Sequence, residues 1–124
     1  MDRTILVIDD DVNIRRTFER ILKRNDYVTD TASTGKEALQ RIKTKHYGVV
    51  LVDLCLPDIN GIYLLEELYR QDHEMIRIVI TGSQYGSLDE VKTADACLLK
   101  PVKPQELLSL IEQKIKEKTS KPKI

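Results

Sequence analysis

Asp9 and Asp10 close a short apolar run, Asp53 closes another, Thr81 a third and Lys100 a fourth. A carboxylate that ends such a run, as Asp53 does in VVLVDLCLPDINGI from Val49 to Ile62, is costly unless something outside the strand pairs with it. Carboxylates crowded together repel and raise one another's pKa, and a hard divalent cation relieves that strain. Oxygen donors without histidine or thiolate suit Mg2+ or Mn2+ better than zinc. Lys100 adds a positive point charge and Thr81 a hydroxyl donor, so the set suits an anion with several oxygens, namely a phosphoryl group. A carboxylate can itself be the nucleophile and become an aspartyl phosphate. Transfer then needs mainly alignment and charge neutralisation.

These residues are far apart in sequence, and only a particular arrangement of elements brings them together. Short β-branched runs occur at Thr4 to Ile8, Tyr27 to Ala32, Gly48 to Val52, Arg77 to Thr81 and Cys97 to Lys100. Between them lie apolar residues at helical spacing: Ile14, Phe18, Ile21 and Leu22, then Ala38, Leu39 and Ile42, then Ile62, Leu65 and Leu68. Leu107, Leu108, Ile111 and Ile115 mark a last helix. Strands alternating with helices imply a parallel α/β sandwich, and the second run, which mixes Thr and Asp with apolar residues, reads as an edge. In an open parallel sheet the carboxyl ends of all strands share one rim, where ligands bind. Asp10 or Asp11 can cap the first helix, Ser33 or Thr34 the second, and Pro104 suits the first turn of the last. The stretch from Thr81 to Lys100, with Gly82 and Gly86, has room for only a short or irregular helix around Leu88, Val91 and Ala94.

A chain of 124 residues fits one domain with a real core. Lys plus Arg and Asp plus Glu are both 20, so the net charge gives no case for nucleic-acid or membrane binding, and the visible basic bias is the tail KEKTSKPKI. Cys55 and Cys97 have neither metal-ligand nor disulfide spacing. With no span for a bilayer and a strand starting at Thr4, a cytoplasmic protein is expected. The boundaries expected are a domain over residues 1–118 and a tail or linker start over 119–124.

The acidic pair in LVIDDD, the DLCLPDING block, Thr81 in IVITGS and LLKP around Lys100, each at a strand end, together resemble the response-regulator receiver domain of two-component signalling, from about Thr4 to Lys116. The resemblance implies a flavodoxin-like, doubly wound five-stranded sheet of order 2-1-3-4-5 with helices on both faces. It makes Asp53 the phosphoacceptor, served by a phosphohistidine on a sensor histidine kinase or histidine phosphotransfer protein. Asp10 becomes the direct Mg2+ ligand, Asp9 its water-mediated companion and the Cys55 backbone carbonyl a further ligand. Lys100 would contact a phosphoryl oxygen, the Lys100–Pro101 bond would be cis, Thr81 would report the phosphoryl group, and Gly82 would leave access open. Cys97 stands where receivers carry Tyr or Phe, Thr93-Ala94 replaces a common Gly-Ala pair, and the Thr81 to Lys100 stretch is shorter than usual. Acceptor chemistry is therefore expected intact and the usual output switch is not, unless Tyr85 fills the space that Cys97 leaves beside Thr81.

Simpler readings compete at each position. The acids at 9–11 can be helix caps, Thr81 an ordinary strand-end hydroxyl, Lys100 a solvated charge, the cysteines small buried hydrophobes, and His46 and His73 exposed loop residues. Three functions follow: a phosphorylatable signalling module that is not an enzyme but assists its own phosphorylation and dephosphorylation, a pseudo-receiver that binds protein without phosphorylation, and a small Mg2+-dependent hydrolase. The last lacks a second acid at position 55. Cys55 and Ser83, flanking the path of an attacking water in receivers, offer no carboxylate or amide to orient it, so a long-lived phosphoryl state is expected. The output partner, and whether the chain stands alone or is part of a longer regulator, are left open by the residues.

Overall fold

The computed structural model describes residues 3–82 and 94–120. Among them the order is β1 (Thr4–Ile8), α1 (Val12–Arg24), β2 (Val28–Ala32), α2 (Gly35–Thr44), β3 (Val49–Val52), α3 (Gly61–Gln71), β4 (Ile76–Thr81), β5 (Ala96–Leu99) and α4 (Pro104–Ser120). All five strands are parallel and lie in the order β2-β1-β3-β4-β5, with β2 at an edge as its mixed composition implied. Tyr85 and Thr93, on which two of the switch expectations rest, lie outside the described residues, as does Ser83. The helix α4 continues to Ser120, two residues past the boundary expected at 118.

Strand alternation divides the core in two. Leu6, Ile8, Val50, Val52 and Val79 face α2 and α3, where Ala38, Leu64, Leu65 and Leu68 are buried. Ile5, Val7, Val49, Leu51, Ile78 and Ile80 face α1 and α4, packing on Phe18, Leu22, Leu107, Ile111 and Ile115. Each fully buried aliphatic side chain contributes roughly 2 kcal/mol. Helices on both faces explain why most strand runs lack alternation.

Local chemistry starts each helix where the apolar pattern begins. Asp11 caps α1, its Oδ1 accepting from the Asn13 and Ile14 amides, and Thr34 caps α2 through the Glu37 amide. Asn60 caps α3 through Ile62 and Tyr63. At the end of α1 the chain turns through Asp26 at φ 67°, a left-handed position that usually takes Gly or Asn. Composition suggested a basic bias confined to the tail. In fact α1 carries Arg15, Arg16, Arg20, Lys23 and Arg24 against the single acid Glu19, an excess that a whole-chain sum of zero conceals.

Candidate functional site

Register brings the acids together. Ile8 is paired with Val52 across β1 and β3, so the next residues, Asp9 and Asp53, emerge side by side at the carboxyl rim. The Asp9 amide bonds the Ala32 carbonyl at 3.1 Å and the Asp53 amide bonds that of Ile8 at 2.9 Å, continuing the ladder one step beyond the strands. On the other side Thr81 pairs with Leu99, and the Lys100 amide donates to the Thr81 carbonyl at 2.8 Å. The Lys100–Pro101 peptide is cis.

From that position the Lys100 Nζ reaches Asp53 Oδ2 at 3.0 Å and Asp9 Oδ2 at 3.1 Å. Asp9 is 2 % exposed and Asp53 5 %, whereas Asp10 is exposed. One carboxylate oxygen from each of Asp9, Asp10 and Asp53 lies within 4.8 Å of the others. The remaining oxygens are held in place: Asp9 Oδ1 accepts from the Asp11 amide and Asp53 Oδ1 from the Cys55 amide, both at 2.9 Å. Burial pushes the Asp9 carboxyl above its ordinary pKa, against the pull of the Asp11 amide and Lys100 and with the help of the Asp53 charge. Burial alone would lower the Lys100 ammonium, but hydrogen bonds and charges from Asp53 and Asp9 outweigh it and hold it above the usual lysine value. Among the described residues the three carboxylates have one cation in direct contact, Lys100, and so form a donor set of hard oxygens that suits a divalent cation.

The other singled-out residues fall into place around this cluster. Cys55 lies in the loop that follows Asp53 and pairs with Asn60 in an isolated antiparallel bridge. Its side chain is exposed, which corrects the expectation of a small buried hydrophobe: the loop has already left the sheet at that point. Gly61 is required here, because a Cβ would stand 2.5 Å from the Leu54 backbone. Asp58 ties the same loop to α2, accepting from the Gly35 and Lys36 amides at 2.9 and 3.0 Å. Thr81 is 1 % exposed, and its hydroxyl has no hydrogen-bond partner among the described residues. Gly82 has nothing within 4 Å of a built Cβ among them.

Cys97 does not join the cluster. It pairs with Val79 and packs against the core on the α2/α3 face, the same side of the sheet as Thr81, and burial raises its thiol pKa, as for an unreactive cysteine. His46 and His73 are exposed at the opposite rim. Two arginines escaped the sequence reading, one at the cluster and one at the opposite end of the sheet. Arg15 Nη1 donates to the Asp9 carbonyl oxygen at 2.7 Å, and Arg77, 4 % exposed at the start of β4, lies over the Tyr69 ring at 4.6 Å and bonds the Met75 carbonyl. The spacing of Arg15, one turn past the Asp11 cap, was the available signal for the first.

A doubly wound sheet with an acidic trio and a lysine on its carboxyl rim defines a class of signalling module. The chain belongs to the response regulator receiver domain family, whose model matches residues 5–112, and it is a receiver domain of the two-component response regulators. It is 34% identical over 122 residues to the phosphoglycerate transport system transcriptional regulatory protein PgtA of Salmonella typhimurium, covering 94% of this chain and 29% of the relative. It is 30% identical over 112 residues to the transcriptional regulatory protein SrrA of Staphylococcus aureus, covering 87% and 46%. The chain thus spans less than half the length of these curated relatives.

Among solved structures, a receiver domain protein from Methanospirillum hungatei superposes with a TM-score of 0.88 at 34% identity, over 96% of this chain and 98% of that one. The response regulator TrrA of Thermotoga maritima, solved in complex with Mg(2+)-BeF, has a TM-score of 0.82 at 28% identity, over 91% and 98%. No helix among the described residues is long and apolar enough to cross a membrane.

Proposed function

We propose that Asp53 accepts a phosphoryl group from a phosphohistidine of a sensor kinase or phosphotransfer protein, with Mg2+ held by Asp9, Asp10, Asp53 and the Cys55 carbonyl. The observation that carries this reading is the two-armed contact of Lys100 with Asp53 and Asp9 inside a trio that has no second cation in direct contact among the described residues. A bound Mg2+ supplies charge neutralisation for the phosphoryl oxygens. The Asp53 carboxylate, aligned by the Cys55 amide and Lys100, attacks phosphorus as the bond to the imidazole nitrogen breaks. The imidazole leaves with the bond's electron pair, and Lys100 then has a phosphoryl oxygen to contact in place of the carboxylate oxygen now bonded to phosphorus in the acyl phosphate. Thr81 supplies a hydroxyl with no other partner among the described residues.

A groove of about 460 Å3 between Asn13, Ile14, Thr17 and Phe18 of α1 and Pro101 and Val102 runs up to Lys100. It offers the donor an apolar approach, with the exposed Arg20 on the same helix. Mg2+ is the expected ion and Mn2+ a competent substitute. Cys55 carries no carboxylate or amide to orient an attacking water, so self-dephosphorylation is slow. The output domain or partner is one that reads the phosphorylated surface, as in a transcriptional regulator.

Incubation with acetyl phosphate and Mg2+, followed by intact-mass and peptide analysis, tests this. A single phosphoryl adduct on Asp53, lost in Asp53→Asn and on chelation, is the expected result. No adduct in the wild-type protein would return the chain to the pseudo-receiver class.

A further inference from the structure

The guanidinium of Arg15 reaches the acidic stretch Asp9–Asp11 at its backbone and pairs with none of its carboxylates among the described residues. Among the described residues no carboxylate lies within ion-pair distance of it, and Nη1 instead donates to the backbone carbonyl of Asp9 at 2.7 Å. A cation so close to Asp9, Asp10 and Asp11 would ordinarily be expected to bind a carboxylate, where it gains more than at a neutral acceptor. The helix explains how it reaches the carbonyl: Arg15 lies one turn beyond the Asp11 cap, and its own amide bonds the Asp11 carbonyl at 3.1 Å. Its side chain therefore runs back along α1 towards the end of β1.

The bond it makes falls on one particular peptide. The Asp9 carbonyl and the Asp10 amide belong to the same rigid plane, so fixing the oxygen fixes the Asp10 N–Cα axis, and with the next amide, that of Asp11, held by Asp9 Oδ1 the direction of the Asp10 Cα–Cβ bond is set between two anchored planes. The Asp9 amide is already bonded to Ala32, and the Asp9 side chain to the Asp11 amide. Asp10 has no such anchor: its carboxylate accepts no hydrogen bond among the described residues and is exposed, yet it stands within 4.8 Å of two like charges. Repulsion favours swinging it out to solvent.

We propose that Arg15 is a positioning residue for the cation site: by pinning the Asp9–Asp10 peptide plane it holds the Asp10 carboxylate in the trio, while itself occupying no carboxylate oxygen. This rests on the reading of Asp9, Asp10 and Asp53 as the cation site. Partners that orient ligands without touching the ion typically change metal affinity by 10–100-fold when removed.

Calorimetric titration of the full chain with Mg2+ alone tests it, alongside thermal melting of the ion-free protein and amide exchange at Asp10. Arg15→Gln is expected to bind Mg2+ at least tenfold more weakly, with faster Asp10 exchange. Arg15→Lys, which keeps the charge but has a shorter reach and no planar fork, is expected to fall between. Arg16→Gln, which removes the same charge from an exposed neighbour, is expected to bind as the wild type does. Equal weakening in Arg15→Gln and Arg16→Gln would reduce the effect to net charge and overturn the proposal, as would wild-type affinity in Arg15→Gln. If Arg15→Gln does not fold, Arg15→Lys decides: wild-type affinity and Asp10 exchange overturn the proposal, and loss of both supports it. A wild-type protein that takes up no Mg2+ overturns the cation site itself, a result distinct from any change confined to Arg15.

Discussion

The carboxyl-terminal rim of the sheet, where Asp9 and Asp53 are buried, treats its carboxylates differently from the rest of the sheet, where Asp30, Asp72 and Asp95 are only partly covered. Away from that cluster, along the β2 edge and at the amino-terminal rim, acids meet donors that suit them: Asp30, midway along β2, accepts from Tyr47 Oη at 2.6 Å and Lys45 Nζ at 2.9 Å, and Asp72 faces His46 Nε2 at 2.9 Å. Arg77 and Asp95 meet between β4 and the start of β5, with the Arg77 amide on Asp95 Oδ2 at 2.8 Å. Hydrogen bonds from Tyr47 and Lys45 hold the Asp30 carboxyl below the ordinary range, and the Tyr47 hydroxyl, buried and bonded to that carboxylate, is pushed up to about 12. At the carboxyl-terminal rim, among the described residues, one lysine serves two buried acids, Asp10 takes no part in an ion pair, and the Asp9 carboxyl is raised. The paired acids elsewhere serve stability. The carboxyl-terminal rim gives up stability to keep acids together where a cation and a phosphoryl group can bind.

Breaking the charge balance in each place sharpens that contrast. The largest expected effect is at Lys100: Lys100→Met leaves Asp9 and Asp53 buried and unpaired and is expected to cost about 3 kcal/mol in the ion-free protein by urea denaturation, with much of it restored by Mg2+. Its counterpart Lys45→Met, at a side chain 45% exposed, is expected to cost less than about 1 kcal/mol and to be indifferent to Mg2+. Comparable losses at both lysines would erase the distinction.

Next is Tyr47→Phe, which removes the donor to the Asp30 carboxylate and is expected to cost about 1.5 kcal/mol. The wild-type pH profile carries the same interaction. Because the Tyr47 pKa is raised on folding, its stabilisation is complete below pH 10 and is lost as pH climbs from 10 towards about 12; Tyr47→Phe removes that limb. Because the Asp30 pKa is depressed, its contribution is present above the ordinary value of 3.8 and fades as pH falls through the lower folded value.

The smallest effect has the opposite sign. The folded state raises the Asp9 pKa, so the charged form is a burden at neutral pH, and Asp9→Asn is expected to stabilise the ion-free protein by about 1 kcal/mol, a rise of a few degrees in melting temperature. Asp30→Asn is expected to lower it. Destabilisation by both changes would show that the two regions do not differ in kind.

Much of this contrast was legible in the sequence at the carboxyl rim and little of it elsewhere. Asp9, Asp53, Thr81 and Lys100 each sit at or just past the end of a β-branched run, and a parallel sheet converts that placement into proximity without reference to side-chain conformation. The caps at Asp11 and Thr34 were readable for the same reason, since a cap acts within a few residues of itself. The pairing of Asp30 with Tyr47 depends instead on two side chains meeting across a crossover. The burial of Arg77 depends on an aromatic ring from α3, and the left-handed Asp26 on a turn in which Asp stands where Gly or Asn is usual. Arg15 was the least legible, because charge alone points it at a carboxylate and only the helix geometry carries it to a carbonyl.

The loop behind the acceptor, residues 54–60, is nailed down at each of its corners. Asp58 grips the amides of α2, Asn60 those of α3, and Gly61 admits the Leu54 backbone with no space to spare. A group carried by Asp53, as proposed, would meet a braced wall on that flank and, on the other, the Thr81 hydroxyl, which has no partner among the described residues.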